Sequence, residues 1–204
     1  MKVFIDNDGM NIEMISALML FAFVSSITPG PNNLMLMASG ANFGVRQSVQ
    51  HILGVTLGFM MMIFLVGMGL AQIFSSYPIT YDVLKVACVV FLVYLAWRIA
   101  TAAPASTHGK GGRPLNFIQA ALFQWVNPKA WAMAITAISV YASNHNIVEV
   151  LWVSAIFGVI NLPCICSWTA LGQQIHQFIA SPSRLRWFNA IMAIALLLSL
   201  LMII

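Results

Sequence analysis

The apolar run over residues 14–41 is interrupted in its middle by Thr28-Pro29-Gly30-Pro31-Asn32-Asn33. An uninterrupted run of about 20 apolar residues is what a helix needs to cross a bilayer. In lipid every backbone N–H and C=O must be satisfied internally, so such a run is driven to be helical. Two prolines remove two backbone donors and stop the helix. Two asparagines follow at once, placing amide groups at membrane depth, where they are costly. A chain with this feature folds there as two half-helices with a polar break between them. A second break, Asn127-Pro128-Lys129, lies in the apolar run 117–142, about half a chain later. Paired breaks at corresponding positions of two halves point to a binding site near the bilayer midplane.

Composition supports the membrane reading. Of 204 residues, 61% are hydrophobic and 7% charged, with a mean hydropathy of +0.91. A soluble domain carries about 25% charged residues. The fold class is therefore an all-α polytopic membrane protein. Six apolar runs are predicted to span: 14–41, 49–73, 81–102, 117–142, 147–175 and 187–204, with Pro163 inside the fifth. Segment 103–116 is rich in Gly, Pro and Ser and reads as a linker. Residues 1–102 and 117–204 then form two three-helix repeats of one transporter domain. An odd number of spans per half inverts the second repeat relative to the first. Broken helices one and four face each other across the midplane.

Charge sets the orientation. Arg46, Arg98, Lys110, Arg113, Arg184 and Arg186 fall on one side of the predicted topology. Lys2 and Lys85 fall on the other, among Asp6, Asp8, Glu13, Asp82 and Glu149. The basic side is expected in the cytoplasm. Both termini are then periplasmic. Trp97, Trp187, Tyr81 and Tyr141 lie near span ends, as interfacial anchors do. The acidic residues near Lys2 and the TPGP break argue against a cleaved signal, so the first run reads as a retained span. The net charge of +4 is a topology signal and gives no indication of nucleic-acid binding. Cys88, Cys164 and Cys166 lie inside apolar runs and read as small hydrophobic filler.

The candidate substrate-binding residues are Pro29, Gly30, Pro31, Asn32 and Asn33 at the first break and Gln124, Asn127, Pro128 and Lys129 at the second. Asn161 joins them from the fifth run, two residues before Pro163; a plain kink there is an equal reading. A helix restarting after Pro31 presents free N–H groups near Asn32, Asn33 and Leu34 and a partial positive charge, which suits a carboxylate. Carbonyls before Pro29 and Pro31 are left to accept from an ammonium group or water. Lys129 is about 12 residues into its run, about 18 Å along a helix. At that depth a lysine is a functional candidate. Two readings stay open for it: a partner for a substrate carboxylate, or a partner for carbonyls of the facing break. His51 clusters with Asn42, Gln47 and Gln50 near the cytoplasmic mouth and reads either as an ordinary interfacial histidine or as a group titrating near neutral pH. Gly54, Gly58, Gly67 and Gly69 are expected to permit close helix packing. None of the five carboxylates lies deep in a predicted span.

The segments SSITPGPNNLMLMASGANFGVRQS, HILGVTLGF, VYLAWRIATA and FQWVNPKAWAMAITAIS, in this order, resemble the LysE/RhtB family of amino-acid exporters. Within it, the subgroup that includes the cysteine/O-acetylserine exporter shares TPGPNN, GxRQS and a LAWxIAT-like third span. The resemblance implies six spans, a bacterial inner-membrane location, export of amino acids or their derivatives driven by the proton motive force, and a homodimer. The partners it implies are a small amino acid and the lipid bilayer. By position, Pro29, Gly30, Pro31 and Asn32 match the first family motif, and Asn127, Pro128 and Lys129 the second. Many relatives carry an aspartate near the position of Gly58-Phe59, and this chain has none.

Two other functions remain as alternatives. One is export of a metal or other cation on the same scaffold, although the runs lack the Asp, Glu and His that a divalent ion wants. The other is a membrane thiol–disulfide electron carrier, which needs a reactive cysteine pair facing the breaks. An enzyme is not expected, since neither H-E-x-x-H nor G-x-S-x-G occurs. No cofactor or resident metal is expected.

Overall fold

The computed structural model describes residues 12–70, 72, 76–77, 79–102, 113–142, 146–178 and 181–199. Residues 103–112 of the linker, the acidic N-terminal stretch, Ile73, the end of the sixth run and the Tyr81 side chain lie outside the described residues. Among the described residues the chain is helical, with no strand. Helix α1 is Ile12–Ile27, α2 is Pro31–Gln47 and α3 is Val49–Leu65, which continues as a π-helical turn, Val66–Leu70. Helix α4 is Ile79–Ala100 and α5 is Phe117–Phe123, followed by a 3-10 turn, Gln124–Val126. Helix α6 is Pro128–Tyr141, α7 is Ile147–Phe178 and α8 is Pro182–Leu198.

Both sequence breaks are real breaks in the helices. Helices α1 and α2 meet at 54°. Gly30 is extended, and Pro31 opens α2 at the first helical position, where its missing N–H costs nothing. The second break starts from α5, which a reciprocal cap anchors. The Asn116 side chain accepts from the Gln119 N–H at 2.9 Å, and the Gln119 side chain accepts from the Asn116 N–H at 3.2 Å. The 3-10 turn ends at Asn127, and Pro128 opens α6.

Among the described residues three helices are individually long and apolar enough to cross a membrane: Val49–Leu70, Asp82–Ala100 and Ile147–His176. The bent α1–α2 pair passes the same test jointly. The fourth apolar run is divided between Phe117–Val126 and α6, and residues 187–198 of the sixth are helical in α8. Helix α7 has 32 residues, about 48 Å at the helical rise, and carries Pro163 on an exposed face.

Helix α2 occupies the centre of the bundle. Every residue from Asn33 to Asn42 is buried, apolar and polar alike. Burial on all sides fits a helix wrapped by other helices. Its closest neighbour is α7. A Cβ on Gly40 would strike the Thr169 carbonyl, and one on Gly172 would strike the Met37 carbonyl. The two backbones touch because each helix presents a glycine to the other, the usual basis of close association in lipid. In α3, Gly54 and Gly58 press on α5 in the same way, and Gly67 presses on Val150 of α7. Gly69 departs from the sequence expectation. Its neighbours leave room for a Cβ, and its φ of +102° is what requires glycine.

Two apolar clusters stack along the bundle. One joins Leu18 and Ala22 of α1, Phe59 and Met62 of α3, Ala134 of α6 and Phe157 of α7. The other joins Leu36 of α2, Val55 of α3, Leu92 of α4, Phe123 of α5, Ile165 of α7 and Leu196 of α8. The two helix breaks fall between these clusters. Charge is segregated along the same direction. Glu13, Asp82 and Glu149 lie in the first turns of α1, α4 and α7, whereas Arg46 and Arg98 lie in the last turns of α2 and α4. Arg184 and Arg186 sit at the start of α8, which runs back from the basic end.

Candidate functional site

A helix C-terminus leaves its last carbonyls without intrahelical donors. At the end of α1 these carbonyls are met by side chains from three other helices. The Asn33 amide donates to Ser26 O and to Thr28 O, both at 2.8 Å. The Trp168 indole of α7 donates to Ile27 O at 3.1 Å. The Lys129 ammonium of α6 donates to Thr28 O at 2.6 Å and, more weakly, to Pro29 O at 3.4 Å. A cation at this spot also meets the negative end of the α1 dipole. Of the two readings open for Lys129, this conformation displays the pairing with carbonyls of the facing break.

The second break is built to aim Lys129 there. Asn127 caps α6, its side-chain oxygen accepting from the Lys129 N–H at 3.1 Å. The cap fixes the first turn of α6 and thus the root of the lysine. Gly30 supplies the space: a Cβ there would lie 2.7 Å from Lys129 Cδ and 3.1 Å from Nζ. One hydrogen-bonded pair links the breaks a second time. Asn32 Nδ2 donates to Gln124 Oε1 at 2.8 Å, and Gln124 Nε2 donates to Asn32 Oδ1 at 3.1 Å. Gln124 Nε2 also donates to Ala120 O at 2.9 Å, so this fully buried amide is well used. Replacing Gln124 with leucine removes both partners of Asn32. The expected cost is about 1–3 kcal/mol, read as a lower melting temperature of the detergent-solubilised protein. An unchanged melting temperature would mean that the pair holds nothing.

Between these contacts lies a tight cleft of about 20 Å³, which as it stands has room for about one water. Gly30, Asn32, Asn33, Asn127, Lys129 and Asn161 line it. Asn161 donates to Ser26 Oγ at 3.2 Å, while its own oxygen is buried with no partner. The cleft therefore holds an ammonium donor, amide groups and one unsatisfied acceptor. Such a set matches the two ends of a zwitterion.

Four of the sequence candidates are not on this surface. Pro29 is exposed, and Pro31 is buried at the head of α2. Gln124 acts through Asn32. Pro128 lines a different cavity, beside Cys88 and Trp131. The expected anion site at the α2 N-terminus takes a different form. Leu34 N–H is bonded to Gly30 O at 3.0 Å, and the Asn33 amide is turned back onto α1. Ser25, Ser26, Phe59, Ala130 and Met133 complete the cleft, and no sequence motif marks them. Trp168 was also missed; nothing local in α7 signals that its indole caps α1. His51 is buried within the bundle, at 1% exposure.

Comparison with known proteins fits this geometry. A family model described as LysE type translocator matches residues 23–201, which include both breaks and all the cleft-lining residues. This chain belongs to the LysE type translocator family. It is a family of translocators and not of enzymes. The translocator is similar to a cysteine/O-acetylserine efflux protein of Escherichia coli O139:H28 (strain E24377A / ETEC), with 28% identity over 189 residues, 90% of this chain and 94% of that protein. It is also similar to the cysteine/O-acetylserine efflux protein of Escherichia coli (strain K12), with 32% identity over 131 residues, 63% of this chain and 65% of that protein. The like-named protein of Shigella flexneri matches over the same shares. No solved structure matches the translocator.

Proposed function

We propose that this translocator exports small amino acids or their derivatives, of the cysteine and O-acetylserine class, by alternating access around the cleft between its two breaks. The observation that carries this reading is the Lys129 bond to Thr28 O across the breaks, at 2.6 Å. An ammonium group has three donors. Two point at carbonyls here, which leaves one for a ligand. A substrate carboxylate competes with the carbonyls for Lys129 and wins as the stronger, charge-assisted acceptor. The freed Thr28 and Pro29 carbonyls, with the unpaired Asn161 oxygen, then accept from the substrate ammonium. Substrate binding thus exchanges a contact between the breaks for contacts to the substrate, and this loosens one break from the other.

In this reading the six apolar runs cross the bacterial inner membrane as two inverted three-helix repeats, 1–102 and 117–204, joined by the linker 103–116. The basic end lies in the cytoplasm, so the start of α1 and the end of α8 are periplasmic. The proton motive force drives export. The likeness to the named efflux proteins supports the substrate class. Transport is tested by loading cells with a labelled amino-acid mixture and following efflux with and without the protein. Selective efflux of cysteine or O-acetylserine, lost in Lys129→Ala and in Asn32→Ala at normal protein levels, is expected. No efflux of any amino acid would overturn the reading.

The cysteines have no part in this cycle. Cys88, Cys164 and Cys166 are free thiols, and none lines the cleft. Replacing all three with serine is expected to leave the efflux rate within about twofold of wild type, given that each is read as packing only. Complete loss of activity in a well-folded triple variant would favour thiol chemistry instead.

A further inference from the structure

A second cavity, of about 350 Å³, opens at the basic end of the bundle, apart from the cleft. Its wall brings together Asn42 of α2, His51 of α3, Arg98 of α4 and Arg113 just before α5. Three features set it apart from a gap between helices.

The first is charge. Two arginines line it, and among the described residues Arg98 is bonded only to the Arg113 carbonyl, at 3.3 Å. The described carboxylates Glu13, Asp82 and Glu149 begin helices at the opposite end. Asp82 and Arg98 are separated by most of α4, about 24 Å at the helical rise. Among the described residues no acid balances the cavity. A pocket of one sign with low-dielectric walls concentrates ions of the other sign.

The second is His51. Its ring is 1% exposed, and neither nitrogen has a hydrogen-bond partner. A buried polar group without a partner is costly, and native proteins rarely tolerate one without a use for it. The third is that the rest of the wall is already satisfied. Asn42 and Asn189 pair through both amides, at 2.7 and 3.0 Å, and Asn189 also donates to Ala102 O at 3.3 Å. This pair ties α2 to α8 and to the end of α4 and so frames the cavity. Unspent hydrogen-bonding capacity is concentrated in Arg98, Arg113 and His51.

We infer that this cavity is a second binding site, a cytoplasmic loading vestibule that takes the carboxylate of the outgoing amino acid on Arg98 and Arg113 before it reaches the cleft. The inference rests on the export reading for the identity of its ligand. A planar guanidinium grips a carboxylate through two parallel N–H donors.

The test counts sites. Purified full-length protein in phosphatidylcholine nanodiscs is titrated with radiolabelled O-acetyl-L-serine. Wild type is expected to bind at two sites per chain. Arg98→Gln removes one and leaves the affinity of the other unchanged; Lys129→Ala removes the other. Arg98→Lys keeps the charge without the fork and weakens the vestibule about tenfold, which separates ligand contact from simple misfolding. Two sites persisting in Arg98→Gln would overturn the inference and leave the export reading standing. A single site abolished by Arg98→Gln and untouched by Lys129→Ala would support the vestibule and count against the cleft. Absence of any binding would overturn both. Loss of one site on changing the lipid to phosphatidylglycerol would assign the cavity to a lipid headgroup and overturn the inference.

Discussion

Lys129→Ala is expected to reduce efflux tenfold or more while the protein still reaches the membrane. The lysine contributes hydrogen bonds from a charged donor, each worth about 1.5–3 kcal/mol. Its two carbonyl partners belong to a break that is also held by Asn33, Trp168 and the Asn32–Gln124 pair. Truncation therefore leaves the break closed by other contacts, and the fold survives. What is lost is the one cationic group that lines the cleft among the described residues. Gly30→Val tests the same point with the charge kept. The added Cβ would lie 2.7 Å from Lys129 Cδ, so the side chain must swing out of its place. Both variants are expected to fail in transport with near-normal gel-filtration profiles. Efflux at the wild-type rate in Lys129→Ala would remove the lysine from the mechanism.

Gly172→Leu is expected to prevent folding. At this point α7 meets α2 backbone to backbone, with Met37 O and Ala41 N where the new side chain must go. No rotamer change relieves a clash with a helix backbone, so the crossing must open. Helices in lipid associate through close packing and not through a hydrophobic drive. Loss of this crossing takes away most of what holds the central helix. The cost is expected to exceed about 4 kcal/mol, the range reached only by the most disruptive substitutions. Detergent-solubilised protein should aggregate or be absent. Gly69→Asn is the control. Its cost is confined to a positive φ that asparagine tolerates better than other side chains, about 1 kcal/mol, and its Cβ meets nothing closer than the Gln72 side chain at 3.7 Å. Equal damage from both substitutions would contradict this distinction between crowding and conformation.

Legibility from sequence followed the range of the interaction. The breaks at Pro29–Pro31 and Asn127–Pro128 are local chemistry, because proline stops a helix wherever it stands within one. Both breaks followed from the sequence alone. Partners did not. Asn32 and Gln124 are 92 residues apart, and Asn42 and Asn189 are 147 apart; nothing in either neighbourhood announces the other. Trp168 reads as one more apolar residue of α7, and only the fold shows its N–H capping Ile27. The burial of α2 was hidden for a related reason. Its sequence holds asparagines, serine and glycines and looks less apolar than its neighbours. In lipid that is the helix to enclose, since the others can face hydrocarbon and it cannot. The burial of His51 was hidden for the same cause: a histidine near a span end suggests water, but here α3 turns it inward.

The central claim is that the cleft between the breaks is reached from each side of the membrane in turn and holds the substrate. Ser25 lines that cleft and is part-buried. Ser25→Cys in a background lacking the three native cysteines, labelled with a membrane-impermeant maleimide applied to either face of sealed vesicles, reads this directly. Labelling from both faces, slowed by O-acetyl-L-serine on each, is the expected result. Labelling from one face only, at a rate that substrate does not change, would contradict it.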